Sequence, residues 1–260
     1  MQSKLEFAIQ TSRKAGRLLL DYFQPSGMQA DLKADHSVVT EADIASDKMI
    51  AKEIQGSYPA DRILSEELHT SIPDYTGKNV WIVDPLDGTT NFSLGLPIWG
   101  VLIALTVDGR PELASLYFPA IDELYSVQHG QGSYLNGKQI TVKPTDPKQP
   151  WSFFSCCSRT FRNYTVSIPY KIRILGSAAY SLCCVARGIA LLGFEATPKI
   201  WDIAGAWLLV QEAGGVIETY DDSAPFPLIP GKDYSRQDYP TLAAATPRLI
   251  SKAHSQIQPK

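Results

Sequence analysis

Two carboxylates three residues apart, Asp84 and Asp87, follow an apolar run and are the side chains of this 260-residue chain best suited to chemistry. Carboxylate oxygens bind hard cations such as Mg²⁺, which usually reach a protein through one or two carboxylates together with the oxygens of a substrate phosphate. Pro85 restricts the backbone before it, and Gly88 tolerates conformations closed to other residues. Both carboxylates are therefore expected to converge on one point and form a metal and phosphate site.

The residues that follow add groups suited to an anion. Gly88, Thr89 and Thr90 supply a glycine and two hydroxyls. A helix that begins at Thr90 or soon after would direct its free N–H groups and the positive end of its dipole at a phosphate. The competing interpretation is a simple strand-ending turn, because Asp, Pro and Gly are all turn residues. Taken alone, this segment leaves the two interpretations open.

Further acidic residues are candidates for the same site. Glu66 and Glu67 follow a short apolar run, Asp202 stands where a helix is expected to begin, and Asp43 comes three residues after Thr40. Each has a plain structural interpretation: adjacent surface acids are usually solvated, Asp202 would serve as a helix cap, and Asp43 would be a favourable first-turn charge. Convergence on one cleft would explain why separate acidic clusters each follow an apolar strand or turn.

Composition limits the class of protein. The length suits one large domain or two lobes that share a cleft. A formal net charge of −3 without a local Lys/Arg cluster argues against a nucleic-acid partner. Charged residues recur through residues 1–23 and interrupt any signal-peptide core. The most apolar later stretch, 177–194, contains Arg187 and two glycines, which favours a core helix running into a strand over a membrane span. We expect a cytoplasmic protein without a membrane segment.

Cysteine and histidine patterns argue against a zinc site. The four cysteines form two adjacent pairs, Cys156-Cys157 and Cys183-Cys184, in apolar surroundings. Without a C-x-x-C or Cys/His zinc spacing, they are predicted to be buried reduced thiols. The four histidines are scattered without a ligand motif, which disfavours a zinc hydrolase.

Periodicity and turn residues predict the elements that position these side chains. Helical spacing of apolar residues predicts helices over 5–23 and 44–54, the second begun at Thr40. From residue 99, apolar runs around Asp108-Gly109 predict an antiparallel meander. Prolines and lysines in 142–150 predict a boundary. We therefore expect an N-terminal α+β lobe over 1–145 with the main metal motifs and a C-terminal α/β lobe over 146–260 with substrate-side residues, together forming one catalytic unit.

Strands and helices alternate beyond the predicted boundary, which indicates helices packed on a second sheet. The predicted elements are a strand over 172–175, a helix over 177–187, a strand over 191–196, a helix over 203–213, strands over 216–220 and 241–245, and a helix after Pro247.

Four motifs in this order resemble those of the inositol monophosphatase family. They are Glu66-Glu67, residues 84–92, Gly176-Ser177-Ala178-Ala179 and Trp201-Asp202-Ile203-Ala204-Gly205. The resemblance covers nearly the whole chain. It implies a mixed α+β and α/β fold, built as a layered α-β-α-β-α sandwich, and a Mg²⁺-dependent phosphomonoesterase with two or three Mg²⁺ per active site. It also implies a homodimer.

The resemblance also implies roles for individual residues. The implied metal ligands are Glu66, Asp84, the backbone carbonyl of Leu86, Asp87 and Asp202, with Asp84 shared between two cations. The implied catalytic groups are Thr89 hydrogen-bonded to Asp43, which together orient the attacking water, and Glu67 as a nearby acid. The implied substrate-binding residues are Gly88, Thr89, Gly176, Ser177, Ala178, Glu195 and Asp202. Glu195 would bind ring hydroxyls.

The expected substrate is therefore a small phosphate monoester, inositol monophosphate, chosen mainly because of Glu195. Fructose 1,6-bisphosphate, adenosine 3′,5′-bisphosphate and histidinol phosphate are alternatives within related families that share the metal motif. A bisphosphate needs a second basic pocket, for which the possible sources are Arg159, Arg162, Lys171 and Arg173. A catalytically silent phosphate sensor is the alternative of another class. Leu94 stands where many members carry a polar or basic residue, which puts a rim or subunit contact in doubt.

Overall fold

The computed structural model describes residues 2–27, 31–32, 38–72, 79–143, 152–221 and 223–260. Among these residues the α-helices are α1 Lys4–Tyr22, α2 Glu41–Ser57, α3 Thr89–Ser93, α4 Ser158–Asn163, α5 Ala178–Ala186, α6 Ile200–Glu212 and α7 Pro247–Gln256. Two short 3₁₀ helices are also present, at Pro119–Ile121 and Tyr234–Arg236. The strands of the N-terminal half are β1 Asp31–Leu32, β2 Val38–Val39, β3 Arg62–Ser65, β4 Val80–Asp87, β5 Gly100–Val107, β6 Arg110–Phe118, β7 Glu123–Gln128, β8 Gly132–Leu135 and β9 Lys138–Ile140. Those of the C-terminal half are β10 Phe153–Cys156, β11 Tyr164–Val166, β12 Lys171–Arg173, β13 Ala190–Glu195, β14 Val216–Thr219, β15 Thr241–Ala244 and β16 Ile257–Pro259.

The larger sheet has seven strands in the chain order β3 to β9. β3 runs parallel to β4, and every later neighbour is antiparallel. The predicted meander is therefore present in β5 to β7, with Asp108 and Gly109 both at positive φ in its first turn. It continues into β8 and β9, which the sequence does not predict.

The smaller sheet has five strands in the order β12-β10-β13-β15-β14. β12, β10 and β13 run parallel, whereas β15 and β14 are antiparallel to their neighbours. β10 lies inside this sheet although no strand is predicted there.

Helices cover both faces of the larger sheet, and the alternation of side chains along β4 shows how. Trp81 and Val83 belong to an apolar cluster formed with α1 and α2. Val80 and Ile82 point to the opposite face and belong to a cluster formed with α5 and α6. Burial on both faces explains why β4 and β5 are continuous apolar runs rather than alternating ones.

The same α5 and α6 cluster includes Ala190 and Ala243 of the smaller sheet, so these two helices lie between the sheets. On the far face of the smaller sheet, Leu192 and Phe194 pack with Ile250 of α7. The order of layers is α1 and α2, larger sheet, α5 and α6, smaller sheet, α7. The predicted α-β-α-β-α sandwich is confirmed.

The start of one helix and the burial of one cysteine differ from the expectations. α6 begins three residues earlier than predicted. The predicted start of the second helix at Thr40 is confirmed, because Thr40 is the N-cap of α2, which runs from Glu41 and so begins before the apolar stretch 44–54. All four cysteines are free, and three are buried, but Cys157 is half-buried, so a fully buried state is wrong for it. Residues 144–150 lie outside the described residues, so the two-lobe division stays a prediction. No helix in the described segments has the length and apolar character to cross a membrane.

Phe154 of β10 offers a test of the smaller sheet's packing. Phe154→Ala should lower the free energy of unfolding by about 3–5 kcal/mol, because its fully buried ring leaves a cavity between the sheet and α7. Urea denaturation followed by circular dichroism measures the loss. Phe161 is 37% exposed on α4, so Phe161→Ala is the matched control and should lose much less. Equal losses would contradict the layered packing.

Candidate active site

Asp84 and Asp87 lie on the same side of β4 because the strand carries a bulge between them. Asp84 pairs with Leu102 and Asp87 with Gly100, so three steps along β4 face two along β5. Residues three apart on a regular strand point to opposite faces, and one extra residue restores the same side. Ser46 of α2 donates to the carbonyl of Pro85 inside the bulge at 3.0 Å.

Asp202 reaches the same point from α6. Lys199 precedes the helix as its N-cap, and its backbone N–H donates to Asp202 Oδ2 at 2.6 Å. The expectation that Asp202 is the N-cap is therefore wrong, because Lys199 holds that position and Asp202 is the third residue of α6, whose side chain accepts the N-cap N–H. This contact does not exclude a site role for Asp202. Asp84, Asp87 and Asp202 each present one carboxylate oxygen, and these oxygens lie within 4.8 Å of one another.

This acidic cluster fits a cation. Burial raises the pKa of all three carboxyls, that of Asp87 to about 7, and the charges of Glu66, Asp202 and Asp87 raise that of Asp84 further. Asp84 Oδ1 accepts the Leu86 N–H at 3.0 Å, but Asp84 Oδ2 is buried and receives no donor from the described residues. Buried acids that repel one another and leave an oxygen unpaired are suited to a divalent cation.

Thr89 and Asp43 form a hydrogen-bonded pair beside the cluster. The Thr89 hydroxyl lies 3.0 Å from Asp43 Oδ1 and 3.0 Å from the Leu86 carbonyl oxygen. Asp43 Oδ2 accepts the backbone N–H and the hydroxyl of Thr40 at 2.8 and 2.6 Å. Burial raises the pKa of Asp43 to about 6. The carboxylate at the start of α2 thus holds the hydroxyl at the start of α3.

Gly88 makes the turn between β4 and α3 possible. Its φ is +85° and it serves as the N-cap of α3, so the helix begins at Thr89, close to the predicted position. A Cβ at this position would lie 2.9 Å from the Ile98 carbonyl oxygen. The segment is therefore both a strand-ending turn and a helix start, and the first N–H groups of α3 lack intrahelical partners.

Asp47 is a site-supporting residue that the sequence interpretation missed. It is fully buried on α2, and Oδ2 accepts the backbone N–H groups of Glu67 and Leu68, each at 3.2 Å. It thereby holds the loop that carries Glu66. The sequence spacing could have predicted this role, because Asp47 follows Asp43 by four residues and so lies on the same face of the helix.

Two cavities with shared walls form the cleft. The first, of about 270 Å³, is lined by Glu66, Asp84, Leu86, Asp87, Gly88, Thr89, Thr90, Arg159, Gly176 and Asp202. The second, of about 280 Å³, shares four of these residues and adds among others Cys157, Ser177, Ala178 and Glu195. Of the four basic residues considered for a second phosphate, Arg159 lines both cavities, whereas Arg162, Lys171 and Arg173 line neither.

Glu195 ends β13 at the second cavity. Its side chain is 3% exposed, and Oε1 has no hydrogen-bond partner among the described residues. Burial and the nearby Cys157 thiol raise its pKa well above the ordinary value. A carboxyl with an unpaired oxygen at a cavity wall is an acceptor for a ligand.

Asn91 of α3 and Gly176, which precedes α5, pack together at the wall of the second cavity. The Asn91 amide donates to the carbonyl oxygens of Ile98 and Leu175 at 2.7 and 2.8 Å. Gly176 has φ +76°, and a Cβ there would lie 2.5 Å from Asn91 Oδ1. This close approach requires glycine and brings the start of α5 against α3.

A family model for the inositol monophosphatase family matches residues 1–258. The chain belongs to the inositol monophosphatase family. It is 35% identical over 232 residues to Nus factor SuhB of Escherichia coli K12, covering 85% of this chain and 86% of that protein. It is 33% identical over 231 residues to the histidinol-phosphatase of Chlorobaculum parvum, with 85% and 87% covered. The IMPase structure from Thermotoga maritima superposes with a TM-score of 0.78 at 25% identity, covering 97% of this chain and 95% of that one.

As a member of this family, the protein is a phosphoric monoester hydrolase. The family is metal-dependent and acts on small phosphate esters. The acidic cluster is the place in the described chain suited to that metal. Several relatives carry the name Nus factor SuhB, so the absence of a nucleic-acid partner stays a prediction.

The geometry brings most of the predicted site residues to the cleft. All five implied metal ligands line the first cavity, and Ser177, Ala178 and Glu195 line the second. Asp43 and Glu67 line neither. Asp43 reaches the cleft through Thr89, and the charge of Glu67 contributes to the raised pKa of Asp43. The individual roles stay predictions.

Asp47→Ala should speed hydrogen exchange of the Glu67 and Leu68 amides roughly fivefold, because each loses a hydrogen bond of about 1 kcal/mol. Hydrogen–deuterium exchange with mass spectrometry of a peptide covering 65–69 measures this. Asp47→Asn keeps an oxygen acceptor and should exchange nearly as the native protein does. Unchanged exchange in Asp47→Ala would show that the carboxylate does not hold the loop.

Proposed function

We propose that this family member is a Mg²⁺-dependent phosphatase that hydrolyses myo-inositol 1-phosphate to inositol and phosphate. The observation that carries the proposal is Glu195, a buried carboxyl with an unpaired Oε1 in a cavity that shares walls with the acidic cluster. An acceptor in that position suits an ester whose alcohol carries further hydroxyls next to its phosphate. A polyol phosphate meets this requirement.

The donor set supports Mg²⁺ as the metal. Glu66, Asp84, the Leu86 carbonyl, Asp87 and Asp202 offer oxygen ligands only, which suits Mg²⁺ rather than zinc. Two or three ions per site are the number that we propose. When bound, such ions would offset the charge on the phosphoryl oxygens and acidify a water for attack.

The chain's own groups then position the reactants. When the Thr89 hydroxyl donates to Asp43 at 3.0 Å, its oxygen is left to accept a hydrogen bond from the attacking water. The N–H groups at Gly88 and Thr89 begin α3 without intrahelical partners and suit phosphate oxygens. Phosphoryl transfer depends mainly on such positioning and charge stabilisation, so no protein nucleophile is required.

Charge in the cleft favours a monophosphate over a bisphosphate. A second phosphate needs several cationic partners, and Arg159 is the one basic side chain among the described residues that lines the cavities. Fructose 1,6-bisphosphate and adenosine 3′,5′-bisphosphate are therefore less well supported. Histidinol phosphate stays the second candidate, because its amine would donate to Glu195 and one similar protein is named histidinol-phosphatase.

Steady-state turnover in Mg²⁺ tests the proposal. The panel is inositol 1-phosphate, histidinol phosphate, fructose 1,6-bisphosphate and adenosine 3′,5′-bisphosphate. We expect the highest kcat/KM for the first. A higher value for histidinol phosphate would make the second candidate correct, and turnover of none would favour the phosphate sensor.

Glu195→Ala should lower kcat/KM for inositol 1-phosphate roughly 10- to 100-fold, because removing one partner of a buried hydrogen bond costs about 1–3 kcal/mol. The p-nitrophenyl ester of phosphate carries no hydroxyl for this acceptor, so its turnover by the same variant is the control and should change little. Folding should not suffer, since the change removes a buried carboxyl with an unpaired oxygen. Equal losses on both esters would exclude a substrate contact at Glu195.

The homodimer that the resemblance implies and the cytoplasmic location expected from the charged residues of 1–23 stay predictions. Leu94, which stands where many family members carry a polar or basic residue, is 63% exposed, and the nearby Leu96 is 49% exposed. They offer apolar rather than charged surface to any subunit contact there.

A further inference from the structure

Asp87 differs from the other acids of the cluster in what holds it. Asp84 and Asp202 accept backbone N–H groups of their own segments, from Leu86 and Lys199. Asp87 is held by a different element, because Oδ2 accepts the Ser177 hydroxyl and Oδ1 accepts the Ala178 N–H at 3.2 Å. The start of α5, some 90 residues away in the chain, therefore determines where this carboxylate points.

The Ser177 hydroxyl has one available direction. It is 3% exposed and is the N-cap of α5, where its oxygen accepts the Tyr180 N–H at 3.0 Å. The acceptor role is thus occupied by the helix, and the single hydroxyl proton is free to donate to Asp87. Although Ser177 lines the second cavity, its hydroxyl serves the acidic cluster and not the substrate half of the cleft.

The donors at the start of α5 leave Asp87 able to act as a metal ligand. Each carboxylate oxygen has about two acceptor directions. Oδ2 accepts the Ser177 hydroxyl, which leaves it a direction for a cation, while Oδ1 accepts the Ala178 N–H and the Ala179 N–H also stabilises the carboxylate. The partial positive charge at the start of α5 also offsets the repulsion from Asp84 and Asp202. Without the hydroxyl, Asp87 is held only by backbone N–H groups at the start of α5, and its Oδ2 can turn away from its negatively charged neighbours.

α5 is itself fixed at its other end. Arg187 follows the helix and makes a salt bridge to Glu123 of β7 at 2.6 Å and a hydrogen bond to the Tyr125 hydroxyl at 3.1 Å. The helix is thus attached to the larger sheet at both ends, through Asp87 of β4 and through β7.

We infer that Ser177 is a positioning residue for the metal site, which aligns Asp87 for cation binding, rather than a contact for the substrate ring. The inference deepens the proposed function and rests on it. Loss of an outer hydrogen-bond partner of a metal ligand typically lowers metal affinity 10- to 100-fold. Ser177→Ala should therefore weaken Mg²⁺ binding by about that factor.

Isothermal titration calorimetry with MgCl₂, without substrate, measures the effect on the full chain. Ser177→Gly removes the hydroxyl but leaves a residue that an N-cap tolerates at little cost, so it separates the lost donor from the lost cap. Ser177→Thr keeps a hydroxyl and should restore near-native Mg²⁺ affinity. Ser3→Ala is the matched control, because Ser3 caps α1 by accepting the Glu6 N–H at 3.1 Å, outside both cavities.

Weaker Mg²⁺ binding in Ser177→Ala and Ser177→Gly, with native affinity in Ser177→Thr and Ser3→Ala, supports the inference. Native affinity in Ser177→Gly overturns it, and so does an equal loss in Ser3→Ala. If the unaltered protein binds no Mg²⁺, the proposed function itself fails, and the inference fails with it. An affinity loss in Ser177→Gly keeps the inference testable even when Ser177→Ala does not fold.

Discussion

Repulsion among carboxylates that lie together inside the protein is the constraint on which the rest of this structure depends. Asp84, Asp87 and Asp202 place oxygens within 4.8 Å of one another, and burial raises the pKa of each. Like charges repel far more strongly in a low-dielectric interior than in water. The acids therefore stay together only where hydrogen-bond donors or cations offset the repulsion, and the buried Asp84 Oδ2, which accepts no hydrogen bond from the described residues, is one oxygen available to a cation.

The donors come from elements whose places the two sheets determine. The bulge of β4 supplies the Leu86 N–H, the start of α5 supplies Ser177 and Ala178, and the start of α6 supplies Lys199. α5 and α6 lie between the sheets and direct their N-terminal ends, which carry partial positive charge, at the same cleft. The middle helical layer thus stabilises the acids as well as burying apolar surface.

Local patterns suffice to predict most helices, the meander, a second sheet and the acids, because Asp84, Asp87 and Asp202 stand beside apolar runs and turn residues. The α-β-α-β-α layering is predicted from the resemblance of the four motifs to the inositol monophosphatase family. What depends on pairing between distant segments is not predictable in this way. The bulge arises from the register of β4 with β5, and the direction of the Ser177 hydroxyl depends on α5 lying against the end of β4. The strand Phe153–Cys156 escapes prediction because its four residues lack alternation and follow a proline-rich segment.

The residues that line the two cavities of the cleft come mainly from different sheets, so the acidic cluster and the second cavity can change in sequence separately. The acids stand mainly at the ends of β3 and β4 in the larger sheet, whereas Cys157 and Glu195 follow or end β10 and β13 in the smaller one. With the roles proposed above, a substitution at Cys157 or Glu195 would change the shape and charge of the second cavity without altering the acids at the ends of β3 and β4. Such separate change is consistent with the names of similar proteins, which include a histidinol-phosphatase and an IMPase.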